Sequence, residues 1–174
     1  MECIQHISYR LEVRCWQIRK PTDKITVNER KKKIQEEFRS RLGLLIDVPK
    51  HGSGTTNDGN SARRYFDDPT ITASITGVDV NLIERFSTIL SVLSCGKNIN
   101  IAAFKRYCFN TAQLFVELYD WYKMPSSVHR ISIHGADIVE HSLLPISTLS
   151  EEPQESRNKD IRKFREHRAR KCSR

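Results

Sequence analysis

Residues 155–166, Glu-Ser-Arg-Asn-Lys-Asp-Ile-Arg-Lys-Phe-Arg-Glu, set a carboxylate ahead of amides and cations at helical spacing. On a helix Glu155, Asn158, Lys159, Arg162 and Glu166 share one face, while Ile161, Phe164 and Ala169 lie on another. Metal-dependent phosphoryl transfer uses such groups, because the anion holds a divalent ion and the cations hold a phosphate backbone beside it. The same face equally describes a solvated helix laced with i,i+4 ion pairs. One carboxylate alone does not make a metal site.

A second constellation is His129-Arg-Ile-Ser-Ile-His134, whose four intervening residues fall within the range of zinc-binding histidine pairs. In a straight α-helix residues five apart point about 140° away from each other, since each step turns about 100°. Joint metal binding therefore needs a distorted turn, which β-branched Ile131 and Ile133 and the following Gly135 favour. Two histidines supply half of a tetrahedral site, and surface or hydrogen-bonded histidines are the plain alternative.

The third constellation is the run from Pro49 to Ser61, with three glycines and no aliphatic residue, leading into Arg63, Arg64, Tyr65 and Phe66. It lacks the Gly-Lys-Ser/Thr ending of a phosphate-binding loop and follows no strand, which argues against nucleotide binding. Open backbone amides beside two arginines suit a nucleic-acid phosphate, and the two aromatic rings suit stacking on a base. An ordinary linker backed by buried aromatics fits the same residues. Lys31, Lys32 and Lys33 carry a similar choice between a phosphate-contacting face and a merely soluble one.

The elements that must position these groups read as helices. Ile4, Ile7, Leu11, Cys15 and Ile18 form an amphipathic first helix that Pro21 cannot continue. A second starts near Asp23 or Thr26 and ends at Leu42 before Gly43. Asn60 or Ser61 opens a short turn, Asp68-Pro69 opens a helix ending at Gly77, Asp79 caps one running to Cys95, and Asn100 caps one ending near Tyr122. Ser126 or Ser127 starts a further helix to about Leu144, and Ser150 to Pro153 opens the last. Ile71–Ile75 and Ile131–Ile133 are the only weak strand candidates, so the expected fold class is all-α.

Hydrophobic residues are only 38% of the 174, against 29% charged, which predicts a core confined to part of the chain. The net charge of +8 favours a polyanionic partner such as nucleic acid. Residues 10–42 carry eleven basic and five acidic side chains, residues 151–174 nine and five, and residues 65–150 six and eight. Basic ends thus flank a nearly neutral middle. No run approaches the ~18 apolar residues of a membrane span and no signal peptide begins at Met1, so an intracellular, soluble protein without a membrane partner is expected. Five cysteines without a CxxC give neither a disulfide scaffold nor an all-cysteine zinc site.

Four segments together resemble one family. Gly52-Ser-Gly-Thr-Thr-Asn-Asp-Gly-Asn-Ser-Ala-Arg-Arg-Tyr-Phe66, Trp121-Tyr-Lys-Met-Pro-Ser-Ser-Val-His129, Ile133-His-Gly-Ala-Asp-Ile138 and Leu149-Ser-Glu-Glu-Pro-Gln-Glu-Ser-Arg-Asn-Lys159 look like Transib-type DNA transposases, relatives of the catalytic subunit of the V(D)J recombinase. The likeness runs from about Cys3 to Arg174. It implies a DDE recombinase, in which an RNase-H-like sheet supplies two aspartates and a glutamate arrives on a helix after a long helical insertion domain. The three carboxylates hold two magnesium ions that activate water and then a 3′-hydroxyl. By motif, Glu155 matches that glutamate, and His129 and His134 match two histidines that complete a zinc site with a Cys-x-x-Cys pair.

The resemblance also implies that Lys31, Lys32, Lys33, Arg63, Arg64, Asn158, Lys159 and Arg162 lie along transposon-end DNA. The aspartates, their strands and the Cys-x-x-Cys pair have no counterpart here. The expected organisation is a basic helical pair at 1–48, a Gly-rich loop at 49–64, an insertion-domain core at 65–149 and a basic helix with the catalytic-type glutamate at 150–174. The chain then reads as the C-terminal part of a cut-and-paste transposase, nuclear and DNA-associated, with an incomplete zinc site and no ability to cut DNA alone. The alternative is a catalytically dead helical module that pairs with a full-length transposase through helices at 79–144, and a homodimer is a further partner expectation.

Overall fold

A computed structural model describes residues 1–51, 54–142, 157, 160 and 161. The chain is all-α: α1 (Glu2–Arg10), α2 (Pro21–Leu42), α3 (Gly59–Asp67), α4 (Pro69–Thr76), α5 (Val80–Ser94), α6 (Ile101–Leu118), α7 (Ser126–His129), a π turn (Arg130–His134) and α8 (Gly135–Glu140). Among the described residues extended pairing is limited to one isolated antiparallel bridge, Pro49 to Thr55. Both weak strand candidates are helical, Ile71–Ile75 within α4 and Ile131–Ile133 within the π turn. No helix among the described residues is long and apolar enough to cross a membrane.

Local chemistry sets most helix ends. Side chains of Asp58, Asp68, Asp79 and Asn100 accept from the backbone N–H of Ser61, Ile71, Leu82 and Ala103, which satisfies donors the first turn leaves open. Gly43 and Gly77 close α2 and α4 in the left-handed region, with φ of 56° and 72°. Asp58, rather than Asn60 or Ser61, caps α3. Pro21 serves as the first residue of α2, where its missing N–H costs nothing.

Several boundaries differ from the periodic pattern: α2 begins at Pro21 rather than near Asp23 or Thr26, and α8 ends at Glu140 rather than about Leu144. The first helix ends at Arg10 instead of continuing toward Ile18, and Arg14 takes a positive φ of 43° as the chain reverses. Leu11, Trp16 and Ile18 still pack on the core, but from irregular backbone. Likewise α6 stops at Leu118, and Tyr122 reaches the core from the turn that follows. Apolar spacing reports which residues face inward, while the backbone that delivers them is set by terminators that a periodicity count ignores.

The larger core cluster joins Ile4 and Ile7 of α1, Ile34 and Phe38 of α2, Leu44 and Ile46 of the following loop, Tyr65 and Phe66 of α3, Ile75, Leu82, Ile83 and Phe115. A smaller cluster of Ile89, Phe104, Cys108 and Ala136 fastens α5, α6 and α8. Arg30 ties the first cluster's helices together: its guanidinium donates to Ser8 O of α1, to Thr76 O of α4 at 3.1 Å and to Glu12 at 2.8 Å. One guanidinium thus satisfies a carbonyl in the last turn of α1 and another in the last turn of α4 with charge-assisted hydrogen bonds.

The described residues of the run at 49–64 are stapled down. Lys50 N donates to Gly54 O, Thr56 N to Val48 O and Asp47 N to Asn57 Oδ1, while Gln35 reaches the carbonyls of Ile46 and Asp47. Asn57 also donates to buried Gln5 at 3.1 Å.

Candidate metal and nucleic-acid site

The break between α7 and α8 is where sequence and geometry meet. Five residues, Arg130–His134, are wound as a π-helix, in which the i to i+5 register replaces i to i+4. Residues five apart then fall on the same side of the axis instead of diverging. The rings of His129 and His134 accordingly lie with centroids 5.4 Å apart at an interplanar angle of 63°. Two imidazoles sharing one tetrahedral ion, with metal–nitrogen bonds of about 2.0–2.1 Å, have centroids roughly 5 Å apart. The observed centroid separation is close to that spacing. Both side chains are exposed.

Gly135 is not what forces this turn. It has ordinary helical torsions, φ −60° and ψ −40°, and a methyl group there would meet its nearest neighbours, Arg130 O and Phe104 Cε1, at 3.9 Å. Ile131 of the turn and Ala136 of α8 instead pack beside Phe104 and Cys108 of α6. Ser132 is buried there with its hydroxyl unpaired.

The surroundings limit what the pair can recruit. Among the described residues no three His, Cys, Asp or Glu side chains converge as a metal-binding group. Cys108 is buried in the smaller cluster, and burial pushes its thiol up to about 11, so it is no ready thiolate. Cys95 ends α5 and its thiol donates to Val92 O. Asp137 is held by Lys105 at 2.7 Å, and that hydrogen bond, with the cationic neighbourhood of Lys105, His134 and His141, keeps its carboxyl below the usual range. Glu117 lines an open apolar groove with His129, Met124, Val116 and Ile133. No spacing rule links Glu117 to His129, so their shared groove is not legible from residue order.

The basic residues separate into distinct roles. Lys31 pairs with Asp47 and sits 5.5 Å from the Tyr9 ring centroid, so it is half-buried and committed within the fold. Lys32 and Lys33 are exposed on α2. Arg64 donates to Leu42 O and Gly43 O, closing the C-terminal end of α2. Arg63 is exposed on α3 and donates to Asn60 Oδ1 at 3.2 Å. Tyr65 and Phe66, expected as possible base-stacking rings, are 0% and 6% exposed and belong to the core. Phe38 stacks on Tyr65 at 5.0 Å between centroids, so neither ring is available to a base.

Glu155, Asn158, Lys159 and Arg162 lie outside the described residues. Arg157, Asp160 and Ile161 between them are helical and exposed. No protein-family model matches the chain, and no curated protein is significantly similar to it.

Proposed function

We propose that this chain is a DNA-associated part of a Transib-like cut-and-paste transposase, lacking the aspartates needed to cut DNA by itself. The observation that carries the reading is the histidine pair. The motif likeness requires His129 and His134 to act together, ideal helix geometry opposes it, and a π turn brings their rings to 5.4 Å. The four motif segments and the net charge of +8, concentrated in the two ends, support it further.

In this reading His129 and His134 are half of a zinc site whose other ligands are not among the described residues, and Glu155 is the position assigned to magnesium. A divalent ion at such a carboxylate would activate water or a 3′-hydroxyl. One carboxylate offers too few oxygens for two hard cations that want about six ligands each. Lys32, Lys33 and Arg63, all exposed, are the described side chains assigned to the DNA backbone.

Electrophoretic titration against duplex DNA at several salt concentrations tests the proposal, and affinity should fall steeply with salt. Absent or salt-insensitive binding counts against it. Incubation with Mg²⁺ and supercoiled plasmid should yield no nicks, and nicking that vanishes in Glu155→Gln would overturn the incomplete-site reading.

A further inference from the structure

Where the two core clusters meet, the helices leave a cavity of about 380 Å3. Its apolar wall is made by Ile4 of α1, Phe66 of α3, Phe86 and Ile89 of α5, Val128 of α7 and Ile131 of the π turn. Ile4 and Phe66 belong to the larger cluster and Ile89 to the smaller, while Phe86 packs against both. Protein interiors hold few voids wider than a water molecule. Small-molecule sites, by contrast, are concave, mostly apolar and roughly 300–1,000 Å3 in volume, which is the class this space falls in.

The polar groups along the wall select the occupant. Asn57 is already engaged, since its Oδ1 accepts from Asp47 N at 2.8 Å and its Nδ2 donates to Gln5 at 3.1 Å. Asp58 is held by Ser61 N at 2.9 Å and by Lys50 at 3.2 Å. Burial pushes the Cys3 thiol up to about 12, so the sulfur faces the cavity as an uncharged thiol. Glu2 and Ser127 are exposed and lie toward solvent. Among the described residues no lysine, arginine or histidine lines the space. A phosphate or carboxylate would find no cation there, and a ligand with many polar atoms would leave them unpaired against aliphatic and aromatic carbon. An apolar cavity of about 150 Å3 takes one benzene, so this volume has room for roughly two rings.

We propose that the cavity between α1, α3, α5 and α7 is a binding site for an uncharged, apolar small molecule of about two-ring size. This inference does not depend on the proposed DNA association.

Fluorescence titration of the full chain with prodan, an uncharged naphthalene dye whose emission shifts to the blue in apolar surroundings, tests it. Wild type should bind in a saturable, one-to-one manner. Naphthalene should displace the dye, whereas naphthalene-2-sulfonate, the same ring body with a charge, should be weaker by about tenfold or more. Ala62→Phe in α3 and Val128→Trp in α7 each put a ring into the space and should each raise the dissociation constant about tenfold or more. Phe109→Ser, which removes an exposed ring on α6 away from the cavity, should stay within about threefold of wild type. Circular dichroism checks that each variant keeps its helix content, and the competition between naphthalene and its sulfonate needs no variant. Absence of saturable binding overturns the proposal. So does a filling variant that keeps its helices and binds as wild type does, or an equal loss in Phe109→Ser. Displacement by the sulfonate as readily as by naphthalene overturns the assignment of an uncharged ligand.

Discussion

Replacing glycine by alanine at two positions should move stability in opposite directions, and the structure fixes both signs. At Gly77 the backbone has φ 72°, and an added Cβ would come to 3.2 Å from Arg30 Nη2 and 3.3 Å from Leu11 Cδ1. A left-handed conformation costs an L-residue roughly 1–2 kcal/mol. Displacing the guanidinium also weakens its bond to Thr76 O, a loss of about 0.5–1.5 kcal/mol. Restricting the unfolded chain returns about 0.4–1 kcal/mol. Gly77→Ala should therefore cost about 1–2.5 kcal/mol net, lowering Tm by several degrees at roughly 2–4 °C per kcal/mol for a chain of this size. Gly135→Ala meets no strain, with its closest neighbours at 3.9 Å and helical torsions, and should gain about 0.4–1 kcal/mol. Urea unfolding followed by circular dichroism measures both. A Gly77→Ala midpoint equal to or above wild type would refute the close-approach reasoning, and a Gly135→Ala midpoint well below wild type would mean that the π turn needs its glycine.

Three further outcomes follow from named contacts. Zinc binding should be weak and substoichiometric by elemental analysis, and the residual binding should vanish in His129→Ala and in His134→Ala alike; tight 1:1 zinc would mean that other ligands had been recruited. Lys31→Ala should lower the unfolding midpoint because it removes the Asp47 pairing, whereas Lys32→Ala should leave it unchanged within about 0.5 kcal/mol. Asp58 is held down to about 2, from the usual 3.8, first by the Ser61 backbone N–H and then by Lys50. Its folded-state value is the lower one, so its contribution is present above the unfolded value and is lost as pH falls from about 4 toward 2. The stability gap between wild type and Asp58→Ala should narrow over that window, and a gap constant with pH would remove Asp58 from the account.

Much of the helical plan was legible because it is written in local chemistry. Asp68, Asp79 and Asn100 as N-caps, and Gly43 and Gly77 as left-handed terminators, act within a few residues of themselves. Arg14 and the early end of α6 were not legible, since neither carries a glycine or proline signal. The histidine pair was half legible: spacing showed that a distorted turn was required, but the π winding depends on packing against α6. Arg64 and Lys31 look like any surface cation in sequence. Only tertiary placement, against the end of α2 and against Asp47 and Tyr9, distinguishes them from Lys32 and Lys33. Tyr65 and Phe66 show the converse error, in which rings next to arginines suggested stacking on bases while their helical phase turned them into the core.

The most direct measurement of the DNA association is the slope of log affinity against log salt for wild type and for Lys32→Ala with Lys33→Ala, measured by fluorescence anisotropy on a duplex. The account predicts a slope of about −0.9 for each phosphate neutralised, becoming shallower by about two contacts in the double variant. A flat wild-type slope, or one that the double change leaves untouched, would contradict the assignment of that face to the DNA backbone.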